Sequence, residues 1–125
     1  MHKIVLQLSV ISASLITIAC SPSKKEVSFS AQVMPILSEN CGSCHKSGGI
    51  GYVASGFNVE NYESIMKGTK LGPVIQPGVS FASTLHVLVE HKADPSLNMP
   101  KDGMKLSEEN IEIIGKWIDE GAKNN

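Results

Sequence analysis

The clearest periodic pattern lies near the end of the chain. Ile111, Ile114, Trp117 and Ile118 recur at three- and four-residue intervals and make one apolar face of a helix. Ser107 is placed to cap its start, and Glu108 and Glu109 sit where the helix dipole favours acids. Leu106 and Ile111 have the spacing of a hydrophobic staple, and Gly121 ends the pattern. Gly115 costs about 1 kcal/mol at mid-helix; it is either tolerated or kept because another helix crosses closely. A first helix is expected from Phe29 or Ser30 to Cys41, on the spacing of Phe29, Val33, Ile36, Leu37 and Asn40. Pro35 falls inside it, so the helix proper starts at Pro35 or kinks there. Two shorter helices are expected between, one over about 61–67 with Gly68 as its stop. The other runs from near Ser83 to near His91, with Leu85, Leu88 and Val89 on one face. The Gly-rich stretch from Gly48 to Gly56, the turn "LGPVIQPG" and the segment "ADPSLNMPKDGMK" read as loops. Few runs are β-branched and alternating, so the expected class is all-α, with about four short helices.

The first residues need separate treatment. "MHKIVLQLSVISASLITIAC" has Lys3, then an uncharged apolar stretch from Ile4 to Ala19. That is shorter than the roughly 20 apolar residues of a membrane span, and it reads as a secretory signal over residues 1–19. "SPSKKEVS", polar and containing proline, reads as a flexible tether. The domain organisation is then signal 1–19, tether 20–28 and one domain over 29–123. The chain has 125 residues, a formal charge of −1 and no basic block, so a nucleic-acid partner is not expected. A chain this short buries its core poorly without a metal, disulfide or cofactor.

"ENCGSCHKSG" carries the candidate chemistry. On a helix, Cys41 and Cys44 share a face, and His45 follows directly. Two thiols at this spacing suit the two vinyl groups of a haem, and the iron needs an axial nitrogen; C-x-x-C-H is the attachment signature of haem c. A structural zinc site needs four ligands, and this motif supplies three. A redox dithiol wants a preceding strand, where this chain has a helix. A plain disulfide suits an exported protein but does not explain His45. For the second axial position Met99 leads, in a loop and stiffened by Pro100. Met104, His86, His91 and an open position are the alternatives. Met34 and Met66 read as gap-filling core residues, and His86 and His91 as surface residues near a helix end.

Two resemblances extend this reading. "TIAC" resembles a bacterial lipobox, which implies acylation of Cys20 and a membrane anchor; Ser21 after it favours the outer over the inner membrane. "VMPILSENCGSCH", "YESIMKG", "GPVIQPG", "STLHVLV", "NMP" and "LSEENIEIIGKWIDEGA" together resemble the monohaem c-type cytochrome domains of bacteria. The closest likeness is to the subgroup often fused to larger proteins in planctomycetes, over about residues 29–122. It implies a cytochrome c-like fold wrapped around one covalently attached haem, with the first and last helices crossing. Gly115 and Trp117 match the small and aromatic residues of that crossing. Cys41 and Cys44 would form thioethers, His45 would be the proximal ligand and Met99 the distal one. A proline carbonyl, from Pro73 or Pro77, would orient His45. The function implied is single-electron transfer between periplasmic or membrane-bound redox partners. A haem enzyme or gas sensor with an open distal site is the alternative, and a disulfide-bearing binding module a third. Lys46, Lys70, Lys101 and Lys105 are candidates for a docking surface or for ordinary solvated lysines.

Overall fold

The computed structural model describes residues 25–101 and 104–125. The signal segment and Cys20 lie outside the described residues. Among those described there is no strand, only an isolated bridge between Thr69 and Gly72. The described residues form five α-helices: α1 (Met34–His45), α2 (Ile50–Ser55), α3 (Tyr62–Lys67), α4 (Thr84–Val89) and α5 (Glu108–Asp119). A single π-turn, Phe29–Val33, leads into α1, and a 3₁₀ turn, Ser80–Ala82, precedes α4.

Pro35 falls in the first turn of α1, where its missing N–H is least costly. The wide π-turn stands immediately before it, since proline cannot take the usual bond to the carbonyl four residues back. Ser107 caps α5 by accepting from the Asn110 N–H, and Leu106 and Ile111 are both buried, as a staple requires. Asn61 and Ser64 form a reciprocal capping box at α3.

α2 corrects the expectation of a loop over 48–56 and raises the helix count above four. Glycine content argued against a helix there, and tertiary contacts override it. Lys70 Nζ donates to the carbonyls of Val53 and Ala54, at 2.7 and 3.3 Å, closing the helix C-terminus. Gly56 ends it at φ 80°.

The core gathers Val33, Leu37, Val59, Ile65, Ile114, Trp117 and Ile118, with Met34 and Met66 packed against it. Phe29 sits 5.2 Å from Tyr62 edge-on and 5.4 Å from Trp117, so the segment before α1 meets α5 through aromatic contact. Val27 and Ser28, assigned to the tether by sequence, are packed here too: Val27 N–H bonds Glu120, and Ser28 Oγ bonds the Asn125 carbonyl.

Gly115 has a different neighbour from the one expected at the first-and-last crossing. A Cβ there would lie 2.6 Å from His86 Nε2, so the close approach is by α4. His86 is correspondingly not a surface residue. It is 8% exposed, its Nε2 donates to the Ile111 carbonyl at 3.3 Å, and its Nδ1 lies 3.4 Å from Glu90.

Candidate functional site

The motif occupies the end of α1. Cys41, Cys44 and His45 are all half-buried, and both thiols are free. Burial, with Cys44 as a smaller contribution, pushes the Cys41 thiol up to about 11. Among the described residues no three His, Cys, Asp or Glu side chains are placed to share a metal ion.

The segment 57–60 holds His45 at two points. Its carbonyl accepts from the Val59 N–H at 2.8 Å, and its Nδ1 donates to the Phe57 carbonyl at 3.2 Å. A carbonyl only accepts, so Nδ1 carries a proton, and in the neutral ring the lone pair is then on Nε2. That is the tautomer an axial ligand needs. The expected acceptor was a carbonyl of Pro73 or Pro77; the structure supplies Phe57, and both prolines are exposed. Glu60 fastens the same segment to the motif. Its carboxylate accepts from the Ser47 hydroxyl at 2.6 Å and the Asn58 amide at 2.7 Å, which hold it below the usual carboxylate range.

Gly51 completes the support. A Cβ at this residue would come within 2.8–3.0 Å of three atoms of the His45 ring. The first turn of α2 therefore lies flat against the imidazole, an approach open only to glycine. Phe57 meets the ring edge-on from another side, at 5.4 Å.

Met99 is half-buried in the loop after α4. Its N–H bonds the Leu88 carbonyl at 3.1 Å, and its carbonyl accepts from His91 Nε2 at 3.0 Å. Apolar side chains lie exposed around both candidate ligands in sequence: Ile50 and Val53 just after His45, and Leu97 and Met104 on either side of Met99. The lysines are engaged locally: Lys70 caps α2, Lys105 pairs with Glu108 at 2.8 Å, and Lys101 bonds the Ser96 carbonyl. Lys46 is exposed beside the motif.

This helical domain carries a paired-thiol-and-histidine motif at a helix end, with the imidazole oriented by a backbone carbonyl. The family comparison adds the cofactor class. Residues 41–103, half of the chain, match the planctomycete cytochrome C family, and the chain belongs to that family. The matched segment runs from Cys41 through the Met99 loop and stops short of α5. No curated protein and no solved structure matches the chain. Membership implies haem c and points to electron transfer rather than catalysis.

The residues present fit the group. Two thiols are available for the vinyl groups, and with Nδ1 of the imidazole already engaged, Nε2 is left for iron. Sequence reasoning missed the Phe57 carbonyl, Gly51 and the bond from His91. Gly51 left a direct sequence signal, as one of the glycines just after the motif.

Cys41 yields a pH prediction for the haem-free chain. An unfolded thiol titrates near ~8.5, whereas folded Cys41 keeps its proton up to about 11. Between these values the unfolded chain sheds a proton that the folded chain holds, so stability falls as pH rises through that window. Below it the contribution is fully present. Denaturant unfolding at about pH 8 and about pH 10.5 should show the fall, and Cys41→Ala should flatten it. An equally steep fall in the variant would place its cause elsewhere. The haem-loaded protein should lack the effect, because a thioether has no proton to lose.

Proposed function

We propose that this protein is an electron carrier moving single electrons between periplasmic or membrane-bound redox partners through one covalently attached haem. Cys41 and Cys44 hold it as thioethers, and His45 and Met99 are the axial donors. The domain wraps the haem as cytochromes c do. The observation that carries the reading is the oriented His45: its Nδ1 donates to Phe57 O, on the same helix as two free thiols.

Bound haem supplies a one-electron ferric/ferrous couple. The chain's part is to keep its ligands still. Phe57 fixes the His45 ring and makes Nε2 a better donor. The α4 end holds the Met99 backbone on both sides. A thioether donor favours the ferrous state and raises the potential. Ligands that stay in place across the redox change keep reorganisation small.

Cys20 is proposed as the lipid anchor, on the periplasmic side of a bacterial membrane, with the outer membrane favoured. Intact-mass analysis of the full chain, expressed with a haem-maturation system, tests both parts. The expected species starts at Cys20, carries lipid and gains the mass of one haem that survives denaturation. A chain without haem mass would sink the carrier reading. A chain with haem but no lipid would sink only the anchor.

A further inference from the structure

The end of α4 is an unusual helix stop. The Lys92 N–H bonds the Val87 carbonyl at 3.1 Å, and the His91 N–H bonds the Leu88 carbonyl at 3.2 Å. Those are the paired bonds of a Schellman motif, whose left-handed residue is most often glycine. Here it is His91, at φ 58°. A side chain at this position carries a conformational cost and adds nothing to the stop itself.

What the side chain reaches accounts for it. His91 Nε2 lies 3.0 Å from the Met99 carbonyl oxygen. The carbonyl can only accept, so Nε2–H donates. The Met99 N–H bonds the Leu88 carbonyl. Both polar groups of the Met99 backbone are therefore tied to the last turn of α4. The rest of the loop is held by its own local bonds, such as Ser96 N–H to Asp94 and Ala93 N–H to Asn98.

We infer that His91 is a positioning residue for Met99, its ring donating to the Met99 carbonyl so that the loop presents the thioether already in place. This rests on Met99 being an axial donor, as proposed above. A loop held beforehand loses less freedom when its methionine binds iron. The bond therefore shifts the balance between methionine-bound and methionine-free iron, by about two- to tenfold for a typical net hydrogen bond.

Imidazole competes with methionine for iron, so the test is an imidazole titration of the oxidised, haem-loaded protein followed by its visible spectrum. His91→Ala should raise the apparent imidazole affinity by about two- to tenfold. His91→Gln, whose amide N–H reaches a similar place, should return it towards the wild type. His91→Gly should behave like His91→Ala, although it relieves the backbone. Met99→Ala should raise the affinity further than any of them. A wild-type titration for His91→Ala, beside a raised one for Met99→Ala, overturns the role of His91 and leaves Met99 standing. Wild-type behaviour of His91→Gly also overturns it, because the backbone and not the ring would then matter. If Met99→Ala itself titrates as wild type, Met99 is not the ligand and both statements fall.

Discussion

Met99→Ala should lower the reduction potential on the order of a tenth to a few tenths of a volt, within the roughly 0.8 V that axial ligands span. The methionine–iron charge-transfer band should vanish with it. The direction follows from the ligand: a thioether is soft and neutral and favours ferrous iron. Water or hydroxide in its place favours ferric iron instead. Carbon monoxide separates the carrier from the enzyme or gas sensor. Reduced wild-type protein should bind it slowly or not at all at neutral pH, and Met99→Ala should bind it readily. Rapid binding by the wild type would mean an open distal position, and the sensor or peroxidase reading would replace the carrier. Redox titration and carbon monoxide binding on the same two samples decide the matter. Met104→Ala is the control. It lies in the same loop and is 74% exposed, so its potential and band should match the wild type.

The parts of this fold that were legible in the sequence are those set by local chemistry. The α5 boundaries follow from Ser107, the two glutamates and the spacing of four apolar residues. The α3 boundaries follow from Asn61 and Gly68. Each signal acts within a few residues, and packing reinforces it. α2 was not legible because the group that closes its carbonyls, Lys70, arrives from a later turn. Burial of His86 was not legible for a related reason: the space it occupies exists only because Gly115 lies on a helix distant in sequence. A histidine near a helix end says nothing about what crosses it.

The site divides along the same line. Residue type marks Cys41, Cys44 and His45 as candidates, because a thioether needs sulfur and iron needs a nitrogen. Orientation of His45 depends on a backbone carbonyl, which every residue carries, so no residue type could mark Phe57 as the acceptor. The resemblance to other cytochromes pointed to a proline, and local geometry put Phe57 there instead. The engagement of His91 with Met99 is similar. A histidine where a helix stop favours glycine is a signal, but it can be read only once the end of α4 is located to the residue.

The double substitution Cys41→Ala, Cys44→Ala should abolish covalently held haem, whereas each single substitution should leave one thioether. Attachment would add the S–H bond of each thiol across a vinyl double bond: sulfur would take one carbon and hydrogen the other, with no electrons gained or lost overall. Two independent additions predict that either thiol alone retains the haem mass after denaturation. The singles should differ in stability. Cys41 packs against the hydrophobic core and its thiol is pushed up by burial, so truncating it leaves a gap worth about 1 kcal/mol. Cys44 is not among the residues packed on that core, and its loss should cost less of the packing. Intact mass after acid denaturation reads the attachment, and thermal unfolding of the two haem-bearing singles reads the packing. Haem mass surviving in the double variant would move the attachment away from this motif. Complete loss in both singles would mean that each thioether forms only after the other, which makes the pair one cooperative clamp rather than two separate bonds.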